Sequence, residues 1–377
     1  MLLLLLAGQL GCGEKESESS LEVMDTATEE ETQTATWEDI TSIVETYYDP
    51  TILPSIGAAR ISNGELTHLG TIGLRSLSAE AEVTAWDKWH LGSCTKAMTA
   101  SLAGIMVDEG YIRWDSTMEE LFPNIEVHPD YQAVTIEMML SHTGGAWGYL
   151  PEHEEVWSMM VLGGNSVDIR ADIAEDVLIQ TPEVQPGTQF LYSNTGYMLV
   201  GAALERVSGS SWEELMQDKI FQPLEMSSCG FGPQDDGSLA EPWSHYGVTP
   251  IDPLSGNADN PASLGPAGTV HCSLPDWSKF IMEQLKLYRG EGRLLSPTQS
   301  QQLFTAQLDG YAMGWVISSR SWADGEVFMH TGSNVKNYAV VWAAPERNEA
   351  YLTVTNTGTE EAYLILDQVT GELIGLD

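Results

Sequence analysis

The sequence predicts a mixed α/β (α+β) fold: one antiparallel sheet built from N- and C-terminal parts of the chain, flanked by helices, around a mostly helical insertion. Three observations carry this. Strand-like runs sit at both ends, the stretch between them reads helical, and one helix is apolar almost all round, as a helix at the centre of a domain must be. From Trp37, residues Ile40, Ile43, Val44, Tyr47 and Tyr48 recur at helical spacing and stop at Asp49-Pro50. SIGAARI and ELTHLGTIG then flank Ser62-Asn63-Gly64, and Asn-Gly between two β-like runs signals a hairpin. Between Ser93 and Glu109, residues Ala97, Met98, Ala100, Leu102, Ala103, Ile105, Met106 and Val107 leave no polar face, and Gly110 ends the helix. From about 111 to 230, IEMMLSH, DIAEDVLIQ, GYMLVGAALERVSG and SWEELMQDKIF alternate with Gly- and Pro-rich loops, forming the insertion. YAMGWVISS, EVFMHTG, NYAVVWAAP and EAYLTVTNTG follow as successive antiparallel strands, closed by a helix from about Glu360 to Val369.

The 377 residues exceed the length at which a single core stops growing, so one large or two intergrown domains are expected. Sixteen basic against 55 acidic residues give a net charge of −39, a field that repels polyanions and excludes nucleic acid as a partner. Residues 1–12, MLLLLLAGQLGC, are apolar but too short to span a bilayer, and read as a signal peptide. They resemble a bacterial lipoprotein signal, which would make Cys12 the lipid anchor and the protein exported, periplasmic or at the cell surface. Residues 13–36 hold eight acids, one lysine and almost no large apolar side chains, the composition of a solvated tether. The folded domain is expected at 37–377.

The chemistry concentrates in SCTK. Ser93 and Lys96 share a helix face, and Ser93 stands at the N-terminal end of a buried helix, where free N–H groups and the macrodipole stabilise developing negative charge. An arbitrary S-x-x-K is more often a helix cap beside a surface lysine. Here the helix leaves Lys96 few routes to water, and burial would lower its pKa until it could accept the serine proton. The same spacing in SNVK, Ser333 to Lys336, falls between two strands and carries no such meaning. There is no G-x-S-x-G elbow and no C-x-x-C, and HEEVW at 153–157 lacks the second histidine of a zinc helix, so no metal or cofactor is expected. His90 and His142 read as structural.

Two further pieces complete a pattern. FLYSNTGYMLVG places Tyr192-Ser193-Asn194 before a helix, and EVFMHTGSN places His330-Thr331-Gly332 at a strand end. In this order, S-x-x-K, Y-x-N and H-T-G resemble the serine β-lactamase and penicillin-binding-protein superfamily, and its class C-like branch of β-lactamases, D-alanyl-D-alanine peptidases and family VIII esterases. MLSHTGG and PAGTVHCSLPDWSKF add local similarity, so the resemblance covers nearly all of 37–377. It implies a β-lactamase/transpeptidase-like fold. Ser93 would be the nucleophile, Lys96 its proton-transfer partner, and Tyr192 the tyrosine acting with that lysine, its phenolate favoured by the ammonium. Asn194 would bond Lys96 and the substrate's acyl amide. His330, Thr331 and Gly332 would line the substrate, with the N–H groups of Ser93 and Ser333 as the oxyanion hole.

The function expected is a serine hydrolase working through an acyl-enzyme on a small ester, amide or peptide. The third motif of the peptidase and β-lactamase branches usually begins with lysine, whose charge helps bind a substrate carboxylate. Here it begins with His330, so a neutral or weakly charged ester or small amide is expected before a D-alanyl-D-alanine peptide or a β-lactam. A silent binding module of the same fold would be expected to have lost Ser93, Lys96 or Tyr192, and all are present. With Cys12 as anchor and Cys94 beside the nucleophile and pointing away, Cys229 and Cys272 remain to pair, although two buried thiols fit the sequence equally well.

Overall fold

The computed structural model describes residues 37–148 and 152–376, so the expected signal peptide, Cys12 and the tether lie outside the described residues. Seven strands form the main sheet: β1 (Glu38–Asp39), β2 (Ser55–Ser62), β3 (Glu65–Gly73), β9 (Val316–Arg320), β10 (Gly325–Ser333), β11 (Tyr338–Ala344) and β12 (Glu349–Thr355). Their order is β1-β3-β2-β12-β11-β10-β9, and every pairing except β1 with β3 is antiparallel. The two ends of the chain meet where β2 pairs with β12, from Thr355 opposite Ile56 to Ala350 opposite Ile61. Both strands lie inside the sheet and are buried along nearly their whole length, which their Ala, Ile, Val and Leu content permits. A small sheet orders β4 (Lys88–His90), β8 (Val270–Ser273) and β5 (Gly230–Phe231), and β6 (His245–Tyr246) and β7 (Thr249–Pro250) form a hairpin.

Helices cover both faces. On one side α1 (Thr41–Glu45) and α13 (Glu360–Ile374) bury Val44, Leu366, Val369 and Leu373 against Ile56, Val340 and Tyr351. On the other, α2 (Thr95–Asp108) and α11 (Leu274–Tyr288) bury Met98, Leu102, Trp277 and Phe280 with Leu69, Phe328 and Val341. The insertion contributes α3 (Met118–Leu121), α4 (Pro129–Gln132), α5 (Ile136–Leu140), α6 (Glu154–Leu162), α7 (Ser166–Leu178), α8 (Asn194–Ser208) and α9 (Trp212–Met216). Arg170 of α7, fully buried, ties this layer to Glu205 and Glu213. Short α10 (Gly265–Gly268) and α12 (Pro297–Leu303) complete the set.

The hairpin turn carries positive φ at both Asn63 and Gly64, as an Asn-Gly turn requires. Four boundaries differ from the sequence reading. The first helix is only five residues, because Glu38 and Asp39 are drawn into the sheet edge beside His68 and Leu69. The buried helix begins at Thr95, with Gly92–Cys94 a 3₁₀ turn leading into it. Strand β9 starts at Val316 rather than Tyr311, and α13 runs on to Ile374. Strands β4 and β8, too short to show periodicity, carry no signal in the sequence at all.

Candidate active site

Every side chain on α2 from Thr95 to Met106 is buried, and Lys96 is fully enclosed. Its Nζ donates to Ser93 Oγ (3.1 Å), Asn194 Oδ1 (2.7 Å) and the Ala267 carbonyl (2.8 Å). Three acceptors suit an ammonium, and the two shorter contacts suit a neutral amine: its two N–H groups go to Asn194 and Ala267, and its lone pair faces the Ser93 hydroxyl. Burial drives this side chain to that neutral form, taking the Lys96 pKa from the ordinary 10.5 to about 7, against a small opposing effect of Cys94.

Tyr192 and Tyr197 close over the amine, their ring centres 4.8 Å and 5.4 Å from Nζ. Burial raises the Tyr192 phenol, and contact with Ser93 only partly offsets this. At rest Tyr192 is therefore a neutral hydroxyl, and the phenolate expected from the nearby ammonium is not the state the site favours, because desolvation is the larger effect. His142 positions the Tyr192 loop, its Nδ1 accepting from Ser193 N–H (3.0 Å) and its carbonyl from Leu191 N–H (2.8 Å). Ser193 Oγ then caps α8 by accepting from Gly196 N–H (3.0 Å), which sets Asn194 at the helix start facing Lys96.

Strand β10 brings the third motif. Gly332 lies directly over the Ser93 turn: a Cβ at this position would overlap the Leu91 carbonyl and stand 2.7 Å from Ser93 N, so only glycine allows the strand this close. The same approach puts Ser333 N against Gly92, the residue before Ser93. His330 is 5% exposed, its Nδ1–H donating to the Thr331 carbonyl (2.6 Å). That fixes the tautomer, leaving Nε2 to accept from the Tyr311 hydroxyl (2.9 Å). Burial and the Lys96 charge hold His330 down at about 3, so it is neutral under ordinary conditions. Cys94 points away from the nucleophile, its buried thiol donating to the His330 carbonyl (3.7 Å), and burial pushes its pKa up. A cavity of about 280 Å³ opens beside Ser93, Tyr192, His330, Thr331 and Ser333, walled by Phe190, Tyr311 and Met329.

Several participants carry no sequence signal. Ala267 acts through its carbonyl and Tyr311 through a loop hydroxyl. A buried bridge joins the two sides of the Ser93 turn. His90 Nδ1 accepts from Gly92 N–H (3.1 Å), so Nε2 bears the proton, and it lies 2.7 Å from Asp259 Oδ1, close although off the line of a hydrogen bond. The same oxygen accepts from Asn334 Nδ2 (2.9 Å) and Asn260 N–H (2.6 Å). Asp259 thus connects the residue before Ser93 to the residue after Ser333. Elsewhere, Cys229 and Cys272 are joined in a disulfide between the start of β5 and β8.

Comparison with known proteins accords with this geometry. The penicillin-binding protein 4 of Amycolatopsis lactamdurans is 25% identical over 342 residues, covering 86% of this chain and 87% of that protein. Protein flp of Staphylococcus aureus (strain MRSA252) is 19% identical over 89% of this chain, which spans 66% of that relative's length. Among solved structures, the crystal structure of SurE superposes with a TM-score of 0.71 at 23% identity, over 89% of this chain and 75% of that one, and shows the same fold. The Beta-lactamase family profile matches residues 40–371, nearly the whole described domain, and the chain therefore belongs to the beta-lactamase family, whose general chemistry is serine hydrolysis.

Proposed function

We propose that this protein hydrolyses small neutral esters through an acyl-enzyme on Ser93. The observation that carries the reading is the enclosure of Lys96, with Ser93 Oγ at 3.1 Å and a pKa brought to about 7 by burial. In this reading the neutral Lys96 amine takes the Ser93 proton as Oγ attacks the ester carbonyl. Negative charge gathers on the carbonyl oxygen between the N–H groups of Ser93 and Ser333, each such donor being worth about 10²–10³ in rate. The C–O bond then breaks, and the departing alkoxide takes the proton back from Lys96, with the Tyr192 hydroxyl beside the path. Water repeats the sequence on the acyl-enzyme, releasing the acid and restoring Ser93. Asn194 holds the amine in register throughout.

Neutral substrates are favoured because no lysine or arginine lines the cavity at Ser93 among the described residues, and His330 is uncharged. A fixed cation there would strengthen carboxylate binding by roughly 1.5–3 kcal/mol. A D-alanyl-D-alanine carboxypeptidase or β-lactamase is the second reading, favoured by the penicillin-binding protein among the relatives. The test is the ratio of kcat/KM for p-nitrophenyl butyrate to that for nitrocefin, in wild type and in His330→Lys. The reading expects the ester to win and the substitution to move the ratio toward nitrocefin. A wild type that prefers nitrocefin would overturn it. Export with a lipid on Cys12 belongs to the same proposal: wild type should partition into the detergent phase on cloud-point separation, and Cys12→Ala into the aqueous phase.

A further inference from the structure

A cavity of about 840 Å³ opens in the helical insertion and shares no lining residue with the one at Ser93. It is framed by α7, the second half of α8 and the start of α9, and closed by the stretch 122–125 that follows α3. Small-molecule sites typically fall at roughly 300–1,000 Å³, so the space suits a small ligand. Its walls are fixed by the fold, because the buried Arg170 of α7 pins Glu205 of α8 and Glu213 of α9. Phe122 and Ala202, each 5% exposed, make an apolar floor with Ile125, Val167 and Ala171.

The charges around this floor form a pattern. Asp168, Glu175, Glu205 and Glu214 line the cavity, with Arg206 as the one basic residue of its wall. Glu205 is already paired with Arg170, which leaves three carboxylates against one guanidinium and a net charge of −2. Asp168 and Glu175 stand two helical turns apart on α7, so their Cα atoms are separated by about 10 Å. Glu214 belongs to the Asp168 end, since Ser166 and Arg170 both bond its neighbour Glu213. Asp176, next to Glu175, is held above the usual carboxylate range by burial and by repulsion from Glu155, Asp172 and Glu175, so the fold leaves the acids of this helix uncompensated. Carboxylates alone would attract only a hydrated ion. An apolar floor between two negative ends calls for a ligand that is apolar in the middle and cationic at both ends.

We propose that this cavity binds a linear aliphatic diamine or polyamine, its methylene chain on Phe122, Ile125 and Ala171 and its ammonium groups at Glu175 and beside Asp168 and Glu214. A dication cancels the net charge of the wall, and each buried methylene can add up to about fourfold in affinity. The experiment is calorimetric titration of the full chain at low salt with spermidine, cadaverine, hexylamine and magnesium ion. It compares wild type, Asp168→Asn/Glu175→Gln, Ala171→Lys and Glu360→Gln/Glu361→Gln, the last removing the same charge from the start of α13. Every substituted side chain is exposed, so the variants keep the fold. Wild type should bind one spermidine or cadaverine per chain. Binding should be at least about fivefold tighter than for hexylamine, which carries one charge, and for magnesium, which carries no chain. Asp168→Asn/Glu175→Gln and Ala171→Lys should each weaken it about tenfold, and Glu360→Gln/Glu361→Gln less than about twofold. Several equivalent sites per chain, magnesium held as tightly as the diamines, equal losses in the two charge-removing pairs, affinity unchanged by Ala171→Lys, or no heat beyond dilution would each overturn the proposal.

Discussion

Replacing Lys96 with methionine separates the cost of the buried amine from its use. The pKa falls from 10.5 in an unfolded chain to about 7 in the fold, and at about 1.4 kcal/mol for each pH unit this amounts to roughly 5 kcal/mol. Below the folded pKa both states hold the proton and the penalty on the native state is complete. Between about 7 and 10.5 only the unfolded chain holds it, so the penalty shrinks as pH rises and is gone above the unfolded pKa. Methionine carries no such term. It does leave Asn194 Oδ1 and the Ala267 carbonyl without their donor, at about 1–3 kcal/mol each, but that loss does not vary with pH. Urea unfolding followed by the fluorescence of the twelve tryptophans gives the difference in stability at each pH. From about pH 7 to about pH 9.5, wild type should gain about 3 kcal/mol relative to Lys96→Met, which should itself be inactive throughout. A difference that stays constant over that range would mean that Lys96 keeps an ordinary pKa, and would refute its role as the base.

Activity should follow the same group in the same direction: kcat/KM of wild type rises with pH through an apparent pKa of about 7 and levels off above it, as initial rates in matched buffers would record. His330, held at about 3, adds no limb in that range. Gly332→Ala should cost at least about 10² in kcat, because its Cβ pushes β10 off the Ser93 turn and with it the Ser333 N–H; steady-state kinetics on a folded variant check this. Asp259→Ala should lower kcat by about 10- to 100-fold with KM little changed, since it releases both His90 and Asn334. Non-reducing peptide mapping should recover Cys229 linked to Cys272, and the double alanine variant should lose about 4 kcal/mol in urea unfolding, from the entropy of opening a loop with a sequence separation of 43.

Much of the fold was legible because its signals are local. Asn63-Gly64 dictates a hairpin whatever surrounds it, and a helix with no polar face from Ala97 to Val107 can only be a central one. The three motifs were legible for the same reason, each being a run of three or four consecutive residues. Strands β4 and β8 were not, since at three and four residues they owe their existence to each other rather than to any pattern.

By itself, then, the sequence determined the fold class, the meeting of the two chain ends in one sheet, and which serine and lysine stand three residues apart at the entry to the central helix. Distances between residues far apart in the chain belong to the tertiary structure. Only there does Lys96 meet the carbonyl of Ala267, 171 residues away, and only complete desolvation brings its amine to about 7 while keeping Tyr192 protonated. The turn at Val335, where φ reaches +70°, and the bridge through Asp259 were decided at the same level. A side chain's pKa and a turn's φ answer to everything packed around them, and that packing is absent from any local stretch of residues.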